Sequence, residues 1–105
     1  MEKKQGSFRT EGLLTLFEEK TKHATITFGT VTIAPGERVP EKGFSKHEEN
    51  EYAVIISGKM EGESGGEQFS VSESNATFIP AGEQHWTANT GEEPCQIVWA
   101  LVKSE

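Results

Sequence analysis

Cysteine occurs once in the 105-residue chain, at Cys95. An internal disulfide is therefore impossible, and a zinc site built on two or four cysteines is excluded. The lone thiol reads as a small, half-buried apolar side chain. Long hydrophobic runs are missing too: none approaches the ~18 residues that a membrane-spanning helix needs. The amino terminus, MEKKQGSFRTEG, has no apolar stretch of the kind a secretory signal carries. A cytoplasmic location is the expectation. Basic residues are scarce, Lys plus Arg numbering 10 against 17 Asp plus Glu, for a net charge of −7. Such a chain repels phosphate backbones and anionic lipid, so neither nucleic acid nor a membrane surface is expected as a partner. The acidic residues are scattered rather than gathered into a tail, which fits ordinary solubility. Repeats and low-complexity segments are absent. Hydrophobic residues reach only 33%, enough for one modest core in one domain.

What the chain does contain is turn chemistry. Eleven glycines and four prolines, among frequent Thr and Val, point to many short strands rather than long helices. Residues 1–20 read as an amino-terminal segment, partly mobile or in contact with a second copy, and 21–105 as the folded barrel. Leu13 to Phe17 fit a short helix or a strand equally well. Ala24, Ile26 and Phe28 alternate with threonines, and so do Val31 and Ile33, but the phase slips by one across Gly29-Thr30. A bulge at Gly29 is expected to absorb the slip and bend the strand. Further strands are expected at Glu51–Ser57, Lys59–Glu63, Glu67–Val71, Ala76–Ile79, His85–Asn89 and Gln96–Lys103, with Gly65-Gly66 as a hairpin turn. Strands this short and this regularly punctuated imply an all-β fold, an antiparallel barrel or sandwich. The runs YAVIIS and QIVWALV are apolar on both faces, so a second layer or a second subunit must cover the outer one. A homodimer is the economical expectation.

Three histidines are available for chemistry. His23 lies among lysines and threonines and reads as solvated. His47 and His85 each stand beside a turn at a strand entrance. Glu51 follows His47 by four positions, which on a straight strand would span about 13 Å. Two ligands bonded to one metal at about 2 Å lie no more than about 4 Å apart. For the two to share a metal, the segment is either helical or bent between them. Pro40 and Gly43 upstream and the β-rich YAVIIS run downstream argue against a helix, and Glu48-Glu49-Asn50 is a suitable polar stretch for a bend. The second signal is Pro80-x-Gly82-x-x-His85-x-x-x-Asn89. From average residue frequencies, those four residues at fixed spacing arise by chance roughly once in 10⁵ to 10⁶ positions.

These residues resemble the two motifs of the cupin superfamily. His47, Glu51 and Gly58 match the first motif, and Pro80, Gly82, His85 and Asn89 match the second. The likeness runs from about Val31 to Val102. There are departures. Ser45 stands where the family's first histidine belongs, Gly36 lies nine residues before Ser45 where the family has six, and Ser74 replaces the glycine that opens the second motif. The resemblance implies a single-domain antiparallel jelly roll of the small cupin kind. It implies a divalent-metal site for Fe, Mn, Ni or Zn at His47, Glu51 and His85, with the metal absent if the change at Ser45 has eroded the site. Two imidazoles and a carboxylate are the ligand set of the facial triad that suits non-haem Fe(II).

If Glu51 points inward, alternation carries Ala53 and Ile55 with it, and His85 carries Thr87. Ser45, Phe44 and Met60 are the remaining candidates beside the ligands or at the mouth, while Trp86 and Tyr52 are expected to face the other way. The function implied is a metalloenzyme of dioxygenase, isomerase or lyase type acting on a small polar or carboxylated molecule. The alternative is a non-catalytic cupin that binds or senses a small ligand through an eroded metal site. A metal-free epimerase with His47 or His85 as base fits less well.

Overall fold

The structure is a computed structural model that describes residues 1–6 and 12–105. Nine strands occur in it, and no helix is present among the described residues. They are β1 (Gly12–Lys20), β2 (Ala24–Ile33), β3 (Arg38–Val39), β4 (Asn50–Ser57), β5 (Lys59–Ser64), β6 (Glu67–Ser72), β7 (Ala76–Ile79), β8 (His85–Ala88) and β9 (Cys95–Ser104). Two antiparallel sheets form, one of five strands in the order β1-β2-β9-β4-β7 and one of four in the order β3-β8-β5-β6. This is the all-β jelly roll that the turn spacing implied.

The stretch 1–20, read apart from the barrel in the sequence, supplies β1, which pairs with β2 at the edge of the larger sheet. Residues 7–11 of that stretch, part of the expected mobile segment, lie outside the described residues. The two-residue strand β3 has no sequence signal of its own. It sits between Pro35 and Pro40 and pairs Arg38 with Ala88 and Val39 with Thr87.

The expected bulge at Gly29 is not there. β2 pairs with β9 in unbroken register from Ala24 to Ile33, and the irregularity lies on β1, between Thr15 and Phe17. The apolar residues of β2 change face instead. Ile26 and Phe28 point outward and are 38% exposed, whereas Val31 and Ile33 point inward and line the interior. Gly29 is required for another reason: it is paired with Trp99 on β9. A Cβ at 29 would stand 2.5 Å from Trp99 Cζ2 and 2.2 Å from the Leu14 carbonyl oxygen. The indole lies across the bare glycine.

The core occupies one end of the barrel. Ile33, Ile55, Met60, Cys95 and Ile97 are buried there, with Val31, Ala53, Phe69 and Val71 packed against them. Gly58 closes the turn from β4 to β5 with φ of 82°, a left-handed conformation that glycine adopts freely. A side chain at 58 would strike the Pro94 carbonyl at 2.6 Å, which accounts for the glycine that ends the first motif. Directly beside this core the sheets part around a cavity, which Ile33, Met60 and Ile97 also line.

Candidate metal centre

His47 leaves the long connection between β3 and β4, and Glu51 is the second residue of β4. The bend between them is real, and the histidine itself helps to hold it. His47 Nδ1 lies 3.0 Å from the carbonyl oxygen of Glu49, two residues on. Glu48, at the bend, is tethered by a 2.9 Å contact with Lys103. The hydrogen bond and charge of that lysine hold the Glu48 carboxyl below its ordinary range. Both groups are exposed, so the tether contributes little to stability.

His85 begins β8, and its Nδ1 lies 3.0 Å from the carbonyl oxygen of Glu83. A carbonyl oxygen can only accept, so in both rings Nδ1 carries the proton. In the neutral ring Nε2 is then left as a lone pair, the form in which imidazole binds a metal. The ring centroids are 5.0 Å apart with 71° between the planes. His47 Nε2, Glu51 and His85 offer ligand atoms that all lie within 4.8 Å of one another.

His47 Nε2 is 3.4 Å from Glu51 Oε1 and is buried without a hydrogen-bond partner. Two acceptors, a lone pair and a carboxylate, thus face each other, an arrangement that a cation between them relieves. The donor set and its orphaned nitrogen fit a divalent ion.

Backbone pairing fixes this arrangement. Ser45 and His85 exchange both backbone hydrogen bonds, at 2.8 and 3.0 Å, so their side chains leave the same face. Gly82 N–H donates to the His47 carbonyl at 2.8 Å, and the Ala81 N–H donates to Asn50 Oδ1 at 2.8 Å. The turn before His85 is thereby fastened to the segment that carries His47 and Glu51. Asn89, which closes the second motif, is 1% exposed. Its amide donates to the carbonyls of Ile33 and Glu93 at 2.9 and 2.7 Å, and its oxygen accepts from Gly91 N–H. It clamps loops and touches no ligand.

Two of the three, Glu51 and His85, border a cavity of about 670 Å³, within the usual range of small-molecule pockets, while His47 stands behind its lining. Ser45, Ala53, Met60 and Thr87 line it, as do Glu51 and His85. Phe44 does not; it is 51% exposed and outside the lining. Ile55 does not either, because it is sealed in the core beneath. Tyr52 faces outward, 47% exposed. Trp86, expected to face away, borders the cavity, while the Arg38 guanidinium stacks on its ring at 4.5 Å. Glu49 and Glu83 also border it, and Ser64 Oγ donates to Glu83 at 2.7 Å. Ile97, Trp99 and Leu101 were legible as one face of QIVWALV by simple alternation. Which face looked inward was not. The Trp99 indole nitrogen is buried and unpaired.

The cupin domain family matches this sequence over residues 29–101. The chain belongs to the cupin family. Solved structures agree with that membership. The cupin domain of Cnp3 from Schizosaccharomyces pombe superposes with a TM-score of 0.74 at 17% identity, over 89% of this chain and 60% of that one. A Bacillus halodurans protein gives 0.73 at 21% identity, over 94% and 76%. A Thermotoga maritima protein described as a predicted oxalate decarboxylase gives 0.63 at 16% identity, over 92% and 96%. At such identities the likeness is one of fold alone. Comparison with curated proteins gave no match.

Proposed function

We propose that this cupin holds one divalent cation, Fe, Mn, Ni or Zn, through His47, Glu51 and His85, and that it is a metalloenzyme of dioxygenase, isomerase or lyase type acting on a small molecule. One observation carries the reading: two imidazoles, each with Nδ1 committed to a backbone carbonyl, bring ligand atoms within 4.8 Å of each other and of one carboxylate. A cation bound there supplies Lewis acidity toward substrate oxygens and, for iron, a site for O₂. The chain's own part is to fix that cation. The Glu49 and Glu83 carbonyls hold the ring tautomers, and Glu51 neutralises half of a divalent charge. Ser45, small and paired with His85, leaves space for a substrate oxygen where a bulkier ligand would stand. The test is the metal content of protein purified without a nickel column, followed by calorimetric titration of the metal-free form. About one equivalent in wild type and none in His85→Ala supports the reading. Failure of every divalent ion to bind below about millimolar overturns it and leaves a non-catalytic, ligand-binding cupin.

The same reading includes a homodimer formed through the outer face of the five-stranded sheet. Phe28, Ala100, Tyr52 and Phe78 are cross-strand partners in one row. Tyr52 and Phe78 are 47% and 54% exposed, with ring centroids 5.0 Å apart. Of the flanking rows, Thr30-Val98-Val54-Ala76 carries no charge and Ile26-Val102-Asn50 carries one only at its β1 edge, Glu19. Copies of a chain with net charge −7 can approach closely only through such a face. Strands of 4 to 10 residues, about 3.3 Å per residue and about 4.8 Å apart, give this sheet a face of roughly 650 Å², near the ~800 Å² per partner that a standard interface buries.

A further inference from the structure

The cavity beneath the ligands is chemically divided. Its charged side chains cluster at the mouth: Glu51 lies in a cross-strand row with Leu101 and Ile79, and His85 in a row with Ser64 and Glu67; deeper, the polar lining is threonine, Thr15, Thr77 and Thr87. Deeper in, the larger sheet presents Val31, Ile97 and Trp99, and the smaller one Met60, Phe69 and Val71. Among the described residues, no lysine or arginine borders this space. Arg38, whose neighbour Val39 does, is committed elsewhere. Its guanidinium donates to the carbonyls of Pro40 at 2.8 Å and Gly43 at 2.9 Å and covers the Trp86 ring. The charged groups that do border the cavity, apart from His85, are carboxylates: Glu49, Glu51, Glu67 and Glu83.

This distribution bears on charge. A carboxylated substrate needs a cation at its free end, because an ion left unpaired against hydrocarbon is strongly disfavoured. The walls offer none, and the carboxylates at the entrance repel a second anion. A hydrocarbon body, by contrast, gains by displacing water from such walls.

We propose that the cavity selects an uncharged, mainly hydrocarbon molecule, aromatic or branched aliphatic, which enters with its oxygen atoms toward His47, Glu51 and His85. Dianions are rejected, and so is any carboxylate group that lies against the walls rather than at the ligands. This names the substrate class of the metal site above and rests on that reading for the ligand's orientation. Selection by the walls operates without a metal.

The experiment separates the two. Metal-free protein with labelled methyl groups is titrated with 2-naphthalenemethanol and, separately, with 2-naphthoate, a probe of the same shape carrying a charge. A parallel titration with Zn(II) alone reads the metal site. The expected result is that the alcohol shifts the methyl resonances of Val31, Val71 and Ile97 and binds at least about tenfold tighter than the carboxylate, whether or not zinc binds. Val71→Trp, which fills the chamber, should abolish binding of the alcohol and leave zinc affinity unchanged. Thr87→Lys, which places a cation on the wall, should turn the preference toward naphthoate, and it decides the matter if the tryptophan variant does not fold. Absence of shifts at the solubility limit of the alcohol, or equal affinity for the two probes in wild type, overturns the inference. Loss of zinc binding alone overturns only the metal reading.

Discussion

Gly82 donates its backbone N–H to the carbonyl of His47 at 2.8 Å, joining the turn of the second motif to the first metal-ligand candidate. The bond ties two connections far apart in sequence, β3 to β4 and β7 to β8, each of which crosses between the sheets. A neighbouring bond does the same work, from Ala81 N–H to Asn50 Oδ1 at 2.8 Å. Between them they fix where His85 stands relative to His47 and Glu51.

Asn50→Ala removes the side-chain half of this fastening. The lost hydrogen bond should cost about 1 kcal/mol of stability. Because Asn50 positions ligand-bearing segments without contacting the ion, metal affinity should fall about tenfold, the lower end of outer-shell effects. Urea unfolding and calorimetric metal titration read the two effects separately. Unchanged metal affinity would show that the turn is held without Asn50.

Much of this was legible beforehand, for a physical reason. Tight turns and strand alternation are local properties, so the positions of seven strands and the Gly65-Gly66 hairpin followed from a few residues each. That His47, Glu51 and His85 belong together was implied by the resemblance to the cupin motifs; bond lengths and spacing alone only permitted it. What stayed hidden depends on contacts between distant strands. Asn89 looks like a ligand-side residue in its motif, yet it is a buried clamp between the Ile33 and Glu93 carbonyls. The carbonyls that set the histidine tautomers belong to Glu49 and Glu83, and no side-chain pattern reveals them. The phase slip at Gly29 was visible, but its cause, the indole of Trp99 lying on the next strand, was not.

Gly29→Ala tests that cause. At an ordinary bulge an alanine is tolerated, whereas here the new methyl meets a backbone oxygen that cannot yield and a buried ring. Overpacking of this kind should cost about 3 kcal/mol. The check is denaturant unfolding, with Trp99 fluorescence as the probe. A loss within about 0.5 kcal/mol would show that the indole has room to move aside.

Phe78→Glu tests the outer face of the larger sheet. Phe78 is 54% exposed, so the single chain loses little by the change. In a two-fold interface, however, each copy would bury a carboxylate against apolar side chains, which costs several kcal/mol per ion. Light scattering after gel filtration should give two copies for wild type and one for the variant, at equal ellipticity. A wild-type monomer at millimolar concentration would remove the homodimer from the proposed function.

Cys95 is fully buried, and burial pushes its thiol above the ordinary range. The neutral form is favoured in the folded chain, so this contribution to stability is complete below the thiol's unfolded pKa. It is lost as pH rises through the raised folded value. Since the thiolate is the nucleophile, a disulfide reagent should fail to label Cys95 near pH 8 in native protein and label it fully in denaturant. The native labelling rate should then follow global unfolding. Rapid labelling without denaturant would place an opening motion at the start of β9.

Ser45→His puts an imidazole where the family's motif carries one. Ser45 shares a face with His85 through their paired backbones and lines the same cavity. It also lies two residues before His47, the spacing that returns a side chain to the same side of an extended chain. A fourth nitrogen donor there should tighten binding of a divalent ion at least about tenfold, or about 1.4 kcal/mol. The same change occupies a position otherwise open to substrate oxygen. Tighter metal binding should therefore accompany weaker binding of a neutral chelating probe such as benzohydroxamic acid. Calorimetry with Zn(II), then with the probe on the zinc-loaded form, measures both. If the variant binds zinc no more tightly than wild type, the side chain at 45 does not reach the ion, and the three-ligand site is not an open version of a four-ligand one.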